Sequence, residues 1–437
     1  MEGLVMTAQL LLGLSILVGL HEFGHLLAAK AFGMRVEKYS IGFPPKIWGK
    51  KIGETEYSFG LIPLGGFVKI SGMIDESLDT KSLSAEPEPY EFRAKPAWQR
   101  LIVMMGGIIV NVITGIIIFI ILSYSQGETY IAKNEVNRAG IAAYELGEEI
   151  GFQTGDKIIS VNGQDFEKFR DLISGDILLG TDTYYMVERN GEQLRIDLPN
   201  DFIDRIADQD KSSIFISYRS PFVIGRLADG YPAADAGLQI GDKFVSVDGA
   251  SIKYYDEFQA AVKGKKEEKI HVVIERDGAQ KEIEVWVNEQ GQIGFNPRLL
   301  INKSKIDYSF GESITKGTSQ AFGVVWLNIK GFSKMFSGDV SPSKSLSGPI
   351  GIAKFFGGTW DWVNFWQITG LISMVLAFMN FLPIPALDGG HVVFLTWEMV
   401  SGRKPSDKFL ENAQKVGMIL LLGLMTFAIF NDIIKLF

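Results

Sequence analysis

His21-Glu22-Phe23-Gly24-His25 follows directly on an uncharged run, Leu4 to Leu20, built mostly of Leu, Ile, Val and Gly. A membrane-spanning helix needs about 20 apolar residues at 1.5 Å rise each. The run reaches that length by continuing through His21 to Ala29. On such a helix His21 and His25 stand one turn apart on one face. Two imidazoles at that spacing can share one zinc ion. Glu22, about 100° round the helix, points near the open coordination position, where it can take a proton from water and pass it to a leaving amine. The plain alternative is a chance match to the H-E-x-x-H pattern. Its place argues against that, because ionisable residues at the end of a membrane helix are costly and usually functional. The run is expected to be a retained helix rather than a cleaved leader, since the only charge before it is Glu2 and a leader begins with basic residues.

Three more apolar runs lie further on: Leu101 to Gly127, Val363 to Leu387, and Val416 to Asn431, the last extended by Ile433 and Ile434 if Lys415 snorkels. Four transmembrane helices follow. Lys30, Arg35, Lys38, Lys46, Lys50, Lys51, Lys95 and Arg100 fill the segment between the first two, and Arg403, Lys404 and Lys408 lie between the last two. By the positive-inside rule those segments are cytoplasmic, and the N-terminus and the long middle region lie outside. Trp360, Trp362 and Trp366 gather where the third helix would enter from the outer side, as an interfacial belt does.

A catalytic zinc takes three protein ligands, so a third must come from elsewhere at the same depth. Asp388 is the leading candidate, in Asn380-Phe381-Leu382-Pro383-Ile384-Pro385-Ala386-Leu387-Asp388-Gly389-Gly390-His391, and His391 is a chemically reasonable rival. This stretch closes the third helix on the side where the first one ends. Its prolines and glycines break the helix, which membrane depth tolerates only inside protein or beside a watery cavity. His271 sits in an apparent strand and reads as an ordinary histidine; Asn111, mid-helix, reads as an interhelical hydrogen-bonding group.

The middle region repeats itself. Gly151-Phe152-Gln153-Thr154-Gly155-Asp156-Lys157 returns as Gly237-Leu238-Gln239-Ile240-Gly241-Asp242-Lys243, 86 residues on, and Glu188-Arg189-Asn190-Gly191 returns as Glu275-Arg276-Asp277-Gly278. Register kept over that distance implies two copies of one β-rich domain. The pattern resembles circularly permuted PDZ domains, more closely in the second copy. There Gln292-Ile293-Gly294-Phe295 looks like the carboxylate-binding loop, so Ile293, Gly294 and Phe295 are candidate substrate-binding residues. In the first copy Ile141 to Gly147 stands in place of the compact Ala-Gly-Leu element. Two spacer domains that bind no peptide are the simpler alternative.

Taken together, His21 to His25, Asn380 to Gly389, Ser347-Gly348-Pro349-Ile350-Gly351-Ile352-Ala353, the two repeats and the four helices resemble the site-2 protease family of intramembrane zinc metalloproteases. The resemblance implies that His21, His25 and Asp388 hold Zn2+, that Glu22 is the catalytic base, and that Asn380 and Pro383 help hold substrate. It implies single-pass membrane protein substrates, among them a pre-trimmed anti-sigma factor and remnant signal peptides, cut near the cytoplasmic face of a bacterial inner membrane. It also implies a membrane-associated β-sheet between Gly42 and Ile70 that pairs with unwound substrate, and PDZ-like domains that exclude untrimmed proteins. Gly106-Gly107 with Asn111 stands where relatives often carry Gly-Pro before the asparagine.

The expected class is therefore an α-helical polytopic membrane protein with a membrane-associated β-region and two tandem PDZ-like domains. The expected divisions are 1–30, helix one with the metal motif; 31–97, a cytoplasmic loop with the β-region; 98–126, helix two; 127–217 and 218–300, the PDZ-like domains; 301–362, an amphipathic linker centred on Ser304 to Ser337; 363–391, helix three; and 412–435, helix four. Asp75 to Pro89 reads as a flexible acidic loop. A net charge of −8 over 437 residues argues against nucleic acid as a partner, and the absence of cysteine excludes disulfides, iron–sulfur clusters and thiol catalysis. The competing function is a non-catalytic envelope adaptor that binds peptide termini, which leaves the complete histidine and glutamate set without a purpose. A zinc hydrolase of small peptides or lipid amides is a third reading, disfavoured by the tandem peptide-binding-like repeats.

Overall fold

A computed structural model describes residues 1–73, 86–208 and 214–435. They form two compact units, one of Met1–Gly127 with Asp307–Phe437, the other of Glu128–Ile306. Most of the expected acidic loop, residues 75–85, lies outside the described residues.

In the first unit, four helices among the described residues are long and apolar enough to cross a membrane: Glu2–Ala31, Ala97–Gln126, Trp362–Phe381 and Lys408–Ile434. They are called helices one to four below. Their ends follow from local chemistry. Gly127, at φ +66°, terminates helix two. The Asp361 carboxylate accepts the N–H groups of Val363 at 2.8 Å and Asn364 at 3.2 Å at the start of helix three. Ser406 caps the Asp407–Ile434 helix through Phe409 N–H at 3.2 Å, so this helix begins at 407 rather than 412. Helix three does not run on to 391. It stops at Phe381, and a separate helix, Asp388–Ser401, opens at Asp388. Pro383 and Pro385 supply no backbone donors, and Ala386 between the two helices takes a left-handed φ of +80°.

Glycines let the helices of this unit touch backbone to backbone. A Cβ on Gly106 would stand 2.6 Å from Gly24 O, and one on Gly24 would fall onto Gly106. Helices one and two therefore meet there with no side chain between them. Gly370 of helix three approaches Ile118 of helix two, and Ser373 Oγ donates to Asn111 O at 2.8 Å. Helix four meets the Pro385 backbone at Gly417. Near its other end, Asp432 accepts Gly348 N–H at 2.8 Å and Gly351 N–H at 2.9 Å at the start of the short helix Pro349–Phe355.

Strands Val36–Ile52 and Thr55–Ile70 pair antiparallel, and both are long enough to fold back. Tyr39 partners Val68 on one side and Tyr57 on the other, and Ile41 partners Gly66 and Phe59. Phe43, Ile47, Trp48, Ile52, Phe59, Leu61 and Ile62 stay exposed on this sheet, an apolar surface of the kind that meets a membrane. The expected amphipathic segment is helical over Phe310–Ser337, where Ser309 and Glu312 form a capping box. Its first residues differ from expectation: Ser304–Ile306 is a strand paired with Glu128–Tyr130.

The second unit repeats its wiring. Strands Lys157–Val161, Tyr184–Arg189 and Glu192–Asp197 form one antiparallel sheet, and Lys243–Val247, Lys269–Arg276 and Ala279–Trp286 form the same run in another. Each contains the same buried ion pair. Arg189 Nε donates to Asp156 Oδ1 at 2.7 Å and its Nη2 to Gly151 O at 2.8 Å; Arg276 Nε donates to Asp242 Oδ1 at 2.7 Å and its Nη2 to Gly237 O at 2.9 Å. Each copy also has its own apolar core, centred on Phe152, Tyr185 and Phe215 in the first and on Phe222, Phe244, Ile270 and Ile274 in the second.

Candidate metal centre

His21 and His25 project from helix one, and Asp388 stands at the first position of the helix that follows the Pro383–Pro385 break. The three converge. Nε2 of His21 lies 3.2 Å from Nε2 of His25 and 3.2 Å from Asp388 Oδ2, and His25 Nε2 lies 3.4 Å from the same oxygen. Two ligand atoms bound at about 2.0–2.1 Å and separated by the tetrahedral angle stand about 3.3 Å apart. The triangle thus has the edges of one face of a zinc tetrahedron. Apart from the two imidazoles, buried Asp388 Oδ2 has no polar partner among the described residues. Two imidazole nitrogens and one carboxylate oxygen are also a donor set that zinc accepts in hydrolases. These residues fit the ion.

The surroundings orient the three side chains. His25 Nδ1 is 2.8 Å from Val103 O, a backbone acceptor on helix two, which directs Nε2 into the triangle. Gly107 supplies the space for both rings: a Cβ there would lie 2.6 Å from His25 Nε2 and 2.7 Å from His21 Nδ1. Glu22, half-buried, packs against the sheet, where a Cβ on Gly66 would stand 3.4 Å from its Cγ. Asn380, in the last turn of helix three, brings Nδ2 to 3.5 Å from His21 Nε2. Pro383 is exposed in the break that follows.

Other candidates are not members of this cluster. His391 is one turn past Asp388 but is not among the converging ligand atoms of the described residues. His271 sits on an exposed strand face, 3.4 Å from Glu282. Ile293, Gly294 and Phe295 belong to the Glu128–Ile306 unit. Ile293 is buried, and its carbonyl accepts Ala233 N–H at 2.8 Å. Gly294 has a φ of +89° and packs against the Tyr231 ring, while Phe295 stacks on Phe222 and Phe244. All three line a cavity of about 1050 Å³ together with Tyr144, Tyr255 and Lys263. Sequence reasoning noted Gly106-Gly107 but gave Gly107 no role beside the histidines, and it missed the Val103 carbonyl. A glycine pair inside an apolar helix is the usual sign of close helix contact and was the available signal for the first; a backbone carbonyl carries none.

Membrane-crossing helices that close around a two-histidine, one-carboxylate centre with an adjacent glutamate define a zinc metalloprotease embedded in the bilayer. Comparison with known proteins agrees: residues 9–424 match peptidase family M50, and the chain belongs to that family. It is 30% identical to the regulator of sigma E protease of Haemophilus influenzae, over 98% of each chain. It is also 30% identical to a putative zinc metalloprotease of Vibrio cholerae and to the regulator of sigma-E protease RseP of Escherichia coli K12, again over 98% of each chain. The protein is a zinc metalloendopeptidase of the site-2 type.

Proposed function

We propose that this enzyme cuts single-pass membrane proteins inside the bilayer, near its cytoplasmic face. The observation that carries the reading is the triangle of His21, His25 and Asp388, with edges of 3.2–3.4 Å and Glu22 on the same helix. His21, His25 and Asp388 hold zinc. A zinc ion held there would supply Lewis-acid chemistry, lowering the pKa of water and polarising the scissile carbonyl. Glu22 takes the proton from the attacking water and returns it to the leaving amine. Asn380 Nδ2 donates to the oxygen of the scissile peptide, and Pro383 keeps the adjoining backbone open to substrate.

A transmembrane helix hides its peptide bonds and must unwind before hydrolysis. The sheet of residues 36–70 packs against Glu22 at Gly66, and its edge offers an extended partner for the unwound strand. The loops rich in Lys and Arg support an inner-membrane orientation with the N-terminus and the 128–306 unit on the side away from the cytoplasm. That unit is read as two PDZ-like domains, divided near residue 217, whose cavity at Ile293–Phe295 receives or excludes the outer part of a substrate. Two relatives are named regulators of sigma E, and the substrate is read as a trimmed anti-sigma factor, with remnant signal peptides as a second class.

The test is cleavage of a tagged single-pass reporter in liposomes by wild type and Glu22→Gln, with the reporter's outer domain intact or removed. Cleavage that needs Glu22 and a trimmed outer domain supports the reading in full. Cleavage indifferent to the outer domain removes the filter, and cleavage that persists in Glu22→Gln overturns the mechanism.

A further inference from the structure

Asn111 is fully buried in helix two, in a stretch of apolar residues. Its Nδ2 lies 3.2 Å from His21 Nδ1, and its Oδ1 is buried with no hydrogen-bond partner among the described residues. An orphaned acceptor at this depth is costly unless a donor reaches it. We propose that Asn111 is the positioning residue of His21, its amide oxygen accepting the His21 Nδ1–H so that Nε2 is held toward zinc. The proposal rests on the ligand reading above.

The argument is one of proton count. A neutral imidazole carries a single ring proton, and the nitrogen that binds a metal must present its lone pair. The Nε2 atoms of both histidines face Asp388 and each other, so both protons belong on Nδ1. His25 meets this condition through Val103 O at 2.8 Å. His21 Nδ1 faces Asn111. With the amide nitrogen toward it, two N–H donors would confront each other and the amide oxygen would stay unpaired. A half-turn of the amide exchanges its oxygen and nitrogen, an assignment that geometry alone leaves open. It brings Oδ1 to the position now 3.2 Å from Nδ1. The NH2 group then stands where the oxygen did, a smaller loss than opposed donors.

Helix two therefore supplies both outer acceptors, the Val103 carbonyl and the Asn111 amide, on either side of the room left by Gly107. Asn111 is itself held by Ser373 Oγ, which donates to its backbone oxygen at 2.8 Å. A purely structural Asn would serve by tying helices together, and would need its NH2 as much as its oxygen.

Three variants of the full-length protein in detergent separate the cases, with zinc affinity read by chelator competition. Asn111→Leu keeps the volume and loses the acceptor, so zinc affinity should fall about 10–100-fold. Asn111→Asp keeps the acceptor without the NH2 and should stay within about threefold of wild type, or bind more tightly. The proposal is overturned if Asn111→Leu binds like wild type, or if folded Asn111→Asp is as weak as Asn111→Leu. His21→Ala tests the underlying reading: it should lose zinc outright, and retention would remove the ligand assignment itself. A readout that needs no variant comes from the four histidines. Selective 15N-histidine labelling of the zinc-loaded wild type should show His21 protonated at Nδ1, and protonation at Nε2 would refute the proposal.

Discussion

Replacing Gly107 with Ala adds one methyl group, and the structure gives that methyl no room. It would stand 2.5 Å from His21 Cε1, 2.6 Å from His25 Nε2 and 2.7 Å from His21 Nδ1. Ordinary contacts between such atoms begin near 3.5 Å, so something must move by about 0.8–1 Å. The rings have little freedom, since His25 is tied to Val103 O at 2.8 Å and both must keep Nε2 on Asp388. Zinc tolerates ligand displacements of only about 0.2 Å. Zinc affinity should therefore fall at least about 100-fold, or about 2.7 kcal/mol, and cleavage of a membrane reporter by about 100-fold or more at limiting zinc. The helix itself should not suffer, because Ala is a better helix former than Gly by about 1 kcal/mol. Gly115→Ala is the control: its Cβ would meet Met374 Sδ at 2.5 Å, the end of a flexible side chain that can rotate away. Chelator competition and reporter cleavage on the three purified proteins decide the matter. Wild-type zinc affinity in Gly107→Ala would refute the claim that this glycine makes the space for the metal ligands.

Further outcomes are expected. Glu22→Gln should retain zinc, measured by metal analysis, while reporter cleavage drops by about 10²–10⁴-fold; loss of zinc instead would make Glu22 part of the ligand set. Arg276→Ala leaves the Asp242 carboxylate, 1% exposed, without its cation, the Gln239 N–H remaining as a donor. Such an unpaired buried charge costs about 3–5 kcal/mol. Hydrogen exchange of strand 243–247 in the full-length protein should quicken about 100-fold or more, while strand 157–161, which keeps its own Arg189, should not change. Asp248 is held below the ordinary aspartate range, first by the Lys265 ammonium and then by His271 N–H at 2.7 Å. A lowered folded pKa contributes stability above the unfolded pKa, and the contribution is lost as pH falls through the folded value. Exchange protection of the 248–271 pairing should therefore weaken in the acid range, and Asp248→Asn should flatten that dependence; equal pH profiles would contradict it.

The sequence by itself determined what short-range periodicity can carry. Residues four apart on one helix face are neighbours whatever the rest of the chain does, so His21 and His25 were legible as a pair. A run such as Leu101 to Gly127 is apolar on every side and declares a membrane helix. Asp156 with Arg189 and Asp242 with Arg276 recur at nearly fixed spacing, so the duplicated sheet could be read before any coordinate. Tertiary structure decided the rest, because it depends on which side chains meet across elements distant in the chain. The prolines announced a break in helix three, but not that Asp388 would open a new helix and aim its carboxylate at both imidazoles. Gly107 reads like any other membrane glycine until the two rings are seen to fill the place of its missing side chain. Asn111 looks like generic interhelical glue until His21 Nδ1 is found facing it. A backbone acceptor such as Val103 O has no sequence signature at all, since every residue carries a carbonyl and only packing selects the one that a histidine meets.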